Sequence, residues 1–158
     1  MDISLKVGDG RFNYRVCAMM IEGGRILAMR DKDTTHYYLP GGRVGLGEIA
    51  EEAVVREVEE ELGVRPEIVR PLWLNQAFYN EEDGSGRVHE LCLYFLMDVS
   101  KTDLPSRGDR FVLTEGEKVH TFEWMEFDRL EREYFYPLFL KTEIFHLPET
   151  FTLHTEVQ

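Results

Sequence analysis

The stretch Gly42–Val64 reads GRVGLGEIAEEAVVREVEEELGV. It is a glycine-rich turn running straight into an acidic helix. Seven glutamates lie between Glu48 and Glu61, against one arginine, Arg56. Ala50, Ala53, Val54, Val58 and Leu62 recur at a 3.6-residue period, which predicts a helix from Glu48 or Ile49 to a stop at Gly63. Glu57, Glu60 and Glu61 stand three and four residues apart, so they stack on one helix face. Like charges at that spacing repel and weaken a helix. Glu57 and Glu61 also fall on or beside the apolar stripe, where an unpaired acid is costly. A cation held between them resolves both difficulties. Glu51, Glu52 and Glu59 need only a solvated helix surface.

The pattern is G-x5-E-x7-R-E-U-x-E-E-x-G-U, with U a bulky aliphatic residue. It is met at Gly42, Glu48, Arg56, Glu57, Val58, Glu60, Glu61, Gly63 and Val64. Through these residues the chain resembles the Nudix hydrolases, MutT-like enzymes that cut diphosphate bonds. The resemblance implies an α/β (α+β) fold in which a mixed β-sheet lies between α-helices. It also implies that Glu60 and Glu61 bind metal and that Glu57 is a ligand or the base that activates water. Arg56 then orients a glutamate, Glu57 or Glu48. The carbonyl of Gly41 is a further candidate ligand, and Glu48 orients the loop and the helix start.

The chain has 158 residues, 43% of them apolar, a size and share that suit one domain over 1–158. The net charge of −12 opposes binding to nucleic acid or to an anionic membrane, which need a basic footprint. It opposes an anionic substrate too, unless a divalent cation dominates the site. Cys17 and Cys92 lie in apolar runs without metal spacing and read as core thiols in a reducing compartment. No signal-peptide pattern and no membrane-length apolar run is present, so the expectation is a cytoplasmic protein.

Around the central helix the pattern is mostly strand. Residues 12–21 and 25–30 flank Gly23-Gly24 and predict a hairpin. Residues 31–35 read as a loop, 66–78 and 88–99 as strands, and 80–86 as a turn. The polar stretch 100–118 is long for a plain connection and reads as a lid or binding loop. A strand is expected over 119–127. Asp128 and Glu131 then form a capping box for a short helix to Glu133, and 137–145 forms a second helix. The tail 148–158 holds a β-like FTLHTEV that pairs at a sheet edge or across a homodimer.

Three carboxylates offer hard oxygen ligands, which suit Mg²⁺, with Mn²⁺ the alternative. Such an ion joins carboxylates to substrate phosphates, so a nucleotide-type small molecule with a diphosphate bridge is the expected partner. Glu90, Glu115 and Glu117 are further acidic candidates. Glu115 and Glu117 lie where some family members place the base, and solvation explains them equally well. Tyr37, Tyr38, Phe78 and Tyr79 are candidates to stack on a base, although core packing is the commoner fate of such rings. His36, His89 and His120 read as structural. The expected function is Mg²⁺-dependent hydrolysis of a nucleoside diphosphate derivative, a nucleoside triphosphate or an oxidised one among them. ADP-ribose and dinucleoside polyphosphates are alternatives, although the signatures of those subfamilies are not met. A regulatory domain that binds nucleotide without turnover is a rival, against which the complete box weighs. An isoprenoid diphosphate isomerase is another, but neither cysteine has the required context.

Overall fold

The computed structural model describes residues 1–158. Its scaffold is a nine-stranded mixed sheet whose main path runs β7 (Arg110–Glu115), β8 (Lys118–Glu126), β3 (Arg25–Asp31), β2 (Gly10–Glu22), β6 (Arg87–Asp98), β5 (Glu67–Asn80) and β9 (Thr152–Val157). β2 (Gly10–Glu22) is the spine. It runs parallel to β6 (Arg87–Asp98) along nearly its whole length. Along its other edge lie, in turn, β1 (Ser4–Val7), β4 (Gly41–Arg43) and the start of β3 (Arg25–Asp31). The expected hairpin of β2 and β3 exists, but the strands pair only at Ile21–Ile26 and Glu22–Arg25. Beyond the turn they diverge, and the chain from Tyr38 to Gly42 fills the split. Tyr38 bridges to Met29, the amide of Ala18 donates to the Pro40 carbonyl, and Gly41 pairs with Cys17. The split is what brings the glycine turn beneath the acidic helix.

Alternation along β2 builds two cores. Val16, Ala18 and Met20 face α1 (Ala50–Leu62), whose Ala53, Val54, Val58 and Leu62 pack on them. Cys17 and Met19 face the opposite side, where Leu130, Phe135, Phe139 and Leu140 cover the sheet. Each fully buried aliphatic of this kind stabilises by about 1.5–3 kcal/mol, enough to hold a helix dense in like charges. Gly63 ends α1 in the left-handed conformation at φ 72°, as expected of a C′ glycine. The second covering layer is thinner than expected. α2 spans only Phe127–Leu130 and α3 only Leu140–Glu143. The capping box does not form: Glu126 stands at the start of α2 without a side-chain cap bond, because β8 (Lys118–Glu126) runs directly into the turn.

The stretch 100–118 is not a lid. Leu104 opens a 3₁₀ turn and is wholly buried, and Arg110–Glu115 forms β7 on the edge of β8. β1 is only four residues long, and although Leu5 and Val7 alternate with Ser4 and Lys6, both apolar side chains are left exposed rather than buried. β5 (Glu67–Asn80) and β6 form the long antiparallel pair that the sequence indicates. The tail forms β9 (Thr152–Val157), parallel to β5 at the sheet edge. No helix is long and apolar enough to cross a membrane.

Candidate active site

The site begins with Gly41 and Gly42 on β4. A Cβ on Gly42 would fall on the Glu57 carboxyl group, and a Cβ on Gly41 would strike the Val16 carbonyl. Two glycines are therefore required by the close approach of backbone to backbone and to an acid. The Gly41 amide donates to Glu61 Oε1 at 2.9 Å. Glu61 is only 8% exposed and has no other hydrogen bond. Burial pushes its carboxyl pKa up to about 9; the Gly41 amide opposes this, and Glu57, Glu115 and Cys17 add to it. Burial raises Glu57 as well, against the pull of Arg56.

Arg56 ties the turn to the helix. Its Nε and Nη2 donate to the two oxygens of Glu48 at 2.7 and 3.1 Å, and its Nη1 to Glu57 at 2.9 Å and Glu60 at 3.3 Å. Nη2 also donates to the Arg43 carbonyl at 3.0 Å. Glu48 in turn accepts from the Gly45 amide at 2.8 Å. The hydrogen bond from Arg56, with that from Gly45, holds the Glu48 carboxyl below its ordinary pKa despite some burial. So Glu48 orients the loop, as expected, and Arg56 holds both of its candidate glutamates and Glu60.

No three acidic, histidine or cysteine side chains converge as a ready ligand set. Glu57 and Glu60 are turned to Arg56, and Glu61 to the Gly41 amide. The residues nonetheless fit a divalent cation on two grounds. The donors are all carboxylates on one face, and Glu61 is a buried acid held by a single neutral amide with Glu57 and Glu115 adding negative charge, the condition under which metal binding displaces a proton.

The remaining candidates separate. Tyr37 is buried, donates to Glu123 at 3.1 Å and lies under the Arg30 guanidinium, so it is no free stacking ring. Tyr38 lies beside Asp31; burial and that acid raise its hydroxyl pKa, and the charge of Glu61 bears on it. Phe78 packs on His89, 4.4 Å between ring centres, in a groove of about 540 Å³ that no α1 residue lines. Tyr79 donates to Glu90 at 3.1 Å, and Arg15 approaches the same carboxylate at 4.0 Å. Glu115 faces His120 at 3.3 Å, while Glu117 sits exposed in the β7–β8 turn.

Sequence reading missed three features. Arg15 and Arg43 are cross-strand partners on β2 and β4, and Arg43 Nε is buried without a hydrogen-bond partner. The signal was a lone arginine inside the apolar run of β2. Asp31 and His120 form a buried pair, with His120 in the inward register of Phe122 and Trp124. His36, Tyr134 and Tyr136 form an aromatic cluster 5.3–5.6 Å between ring centres, and Tyr38 lies 5.9 Å from His36. Only the fold brings residues 36 and 134 together, through the Tyr37–Phe135 bridge.

The scaffold and the glycine–glutamate site define a Nudix-type α+β protein, and comparison with known proteins agrees. The NUDIX domain model matches residues 11–141, and the chain belongs to the Nudix family. An ADP-ribose pyrophosphatase of Methanocaldococcus jannaschii is 38% identical over 73 residues, 46% of this chain and 41% of that protein. A putative 8-oxo-dGTP diphosphatase of Bacillus subtilis is 55% identical over 42 residues, 27% of this chain and 28% of that one. The aligned part is thus less than half of either relative. Among solved structures, a MutT protein from Bacillus halodurans superposes with a TM-score of 0.58 at 15% identity, over 85% of this chain and 82% of that one. An ADP-ribose pyrophosphatase from Streptococcus suis does so with 0.55 at 19%, over 92% and 98%. At those identities the structures speak for the fold.

Proposed function

We propose that the chain is a pyrophosphohydrolase that cleaves a diphosphate bond in a nucleoside diphosphate derivative, acting as a single domain over 1–158. Glu57, Glu60 and Glu61, with the carbonyl of Gly41, are the residues that would hold Mg²⁺ or Mn²⁺. A bound ion would neutralise the phosphates, polarise a phosphoryl oxygen and favour hydroxide formation. The chain's own residues do the positioning. Arg56 fixes Glu48, Glu57 and the Arg43 carbonyl in one rigid turn. Arg15 and Arg43, paired across β2 and β4, offer guanidinium groups to the phosphates. The cluster of His36, Tyr134 and Tyr136 offers faces for a base or sugar, a role Tyr37 and Phe78 are too engaged to fill.

The observation that carries this reading is Glu61, a buried acid held by one amide at the foot of the glycine turn. A solvated acidic helix would leave that carboxyl in water. The names of the relatives suggest ADP-ribose and 8-oxo-dGTP as the first substrates to try, and nucleoside triphosphates and dinucleoside polyphosphates complete a panel. The test is product identification from that panel with and without Mg²⁺. The reading expects cleavage at a diphosphate bridge of at least one member, dependent on Mg²⁺. It expects Glu60→Gln and Glu61→Gln each to lose ~10²-fold or more in kcat while remaining folded. Tight nucleotide binding with no cleavage would instead identify a nucleotide-binding regulator.

A further inference from the structure

Residues paired across neighbouring strands share one face of a sheet. Arg43 on β4 pairs with Arg15 on β2, Arg15 with Cys92 on β6, Cys92 with Asn75 on β5, and Asn75 with His154 on β9. One row of side chains therefore runs from the glycine turn to the last strand. Neighbouring strands lie about 4.8 Å apart, so the three steps from β2 to β9 cover about 14 Å. That is comparable with the reach of an extended nucleotide from its diphosphate to the far edge of its base. The far end of the row is polar, although backbone pairing alone can hold an edge strand. Asn75 is only 2% exposed. Its amide donates to Glu156 Oε1 at 2.9 Å. His154 Nδ1 donates to the Asn75 oxygen at 2.8 Å, because an amide oxygen only accepts. The His154 ring stacks on Phe139, 4.2 Å between ring centres. Glu156 is thus held at one oxygen, and its Oε2 takes no hydrogen bond from the protein. The tyrosine cluster stands on this same side, since Tyr37 and Phe135 share a core with Cys92 and Phe139. The Tyr136 hydroxyl pKa is raised first by the neighbouring Tyr134 and then by burial, and the charges of Tyr134, Glu82 and Glu156 add to it.

We propose that Glu156, positioned by Asn75 and His154, reads the Watson–Crick edge of a guanine base, so that the substrate is a guanosine or deoxyguanosine diphosphate derivative; this rests on the pyrophosphohydrolase reading and names its substrate class. A carboxylate accepts and does not donate. Guanine presents two adjacent N–H donors, at N1 and at its exocyclic amino group, and the two oxygens of a carboxylate can meet them side by side. Adenine and cytosine set a ring acceptor next to their amino group. Uracil sets its one N–H between two carbonyls. Each of these would turn a lone pair toward the acid, which costs binding unless a donor stands between. Tyr134 and Tyr136 supply the stacking face, and the diphosphate lies back along the row toward Arg15 and Arg43. Oxidation at C8 leaves the edge unchanged, so the same contact takes 8-oxoguanine. Asn75 and His154 fix the carboxylate before the base arrives, which lowers the entropy lost on binding.

A clasp of Asn75, His154 and Glu156 that only pins β9 to the sheet edge would look the same at rest, so selectivity and stability must be read apart. GMP, IMP and AMP carry the base with one phosphate and need no turnover. Their affinities for the full chain in Mg²⁺ are measured by isothermal titration calorimetry in the wild type, Glu156→Gln and Thr155→Ala, with melting temperatures recorded. Thr155 lies on the opposite face of β9, where Gln76 donates to it, and serves as the control. GMP should bind at least ~10-fold tighter than AMP, with IMP, which lacks the exocyclic amino donor, between them. Glu156→Gln keeps an oxygen for Asn75 and turns its free end into a donor, so the preference for GMP over AMP should fall at least ~10-fold. Thr155→Ala should retain it. A wild type that binds AMP as tightly as GMP, or binds none of the three, overturns the proposal. So does a Glu156→Gln variant that melts lower but keeps its preference for GMP. If that variant does not fold, the order of the three nucleotides on the wild type decides. Rates on 8-oxo-dGTP and ADP-ribose then separate the two readings. Preferred cleavage of ADP-ribose leaves the hydrolase and ends the guanine site, whereas a preference for GMP without cleavage of either substrate keeps the guanine site and ends the hydrolase.

Discussion

Glu61 carries its acid in the worst place for a charge, beneath a helix and against a strand, with one amide for company. The stability consequence has a definite sign. Its pKa is raised from 4.5 to about 9, so the folded chain binds that proton more tightly than the unfolded one. The associated stability is present below the unfolded value and is lost as pH rises toward the folded one. Metal-free protein should therefore melt at a falling temperature as pH goes from 5 to 9. Glu61→Gln should remove that slope and stabilise the metal-free chain at pH 8 by ~1 kcal/mol or more. Thermal melts across pH in a chelating buffer check this, and a Glu61→Gln curve parallel to the wild type would contradict it. Gly42 makes a second prediction at this scale. An added methyl meets the flexible end of Glu57 rather than backbone, so Gly42→Ala should fold, melt within a few degrees of wild type and still lose ~10²-fold in turnover. Thermal melts beside steady-state rates would show the two effects apart.

At the scale of elements, the turn and α1 act as one unit because Arg56 binds both. A lysine keeps the charge but cannot serve Glu48 through two nitrogens while also reaching Glu57, Glu60 and the Arg43 carbonyl. Arg56→Lys should therefore cost at least ~10-fold in kcat and lower the melting temperature by only a few degrees. Equal rates for the two proteins would show that the turn holds its shape without the fork. This unit was legible in the sequence, since fixed glycines, acids and one arginine at set spacing describe local geometry that few other contacts can alter. The short helices were not legible: α2 and α3 are single turns set by packing of Leu130, Phe139 and Leu140 on the sheet rather than by their caps. β7 was hidden by its charge. Only Phe111 and Leu113 turn inward, and Val112 is left exposed on an edge. The aromatic cluster and the Asp31–His120 pair depend on contacts across 89 or more residues, which no local pattern records.

For the whole molecule the governing quantity is charge. On the proposed function, a chain with a formal charge of −12 has to receive an anionic diphosphate, which needs positive charge gathered at one place. The split between β2 and β3 is that place. It admits the glycine turn, brings Arg15 and Arg43 alongside, and sets α1 above with Glu57, Glu60 and Glu61 on one face. On the far side of β2 from that split, β6 pairs with it in parallel, and β5 and β9 extend the sheet beyond β6. All of this turns on whether the α1 carboxylates take up a divalent cation. Titration of the full chain with Mn²⁺, followed by electron paramagnetic resonance of the free ion, measures it directly. The structure predicts a saturable site that weakens at least ~10-fold in Glu61→Gln and persists in Glu59→Gln, whose carboxylate faces solvent and Arg65. Equal Mn²⁺ affinity in the wild type, Glu61→Gln and Glu59→Gln would contradict it.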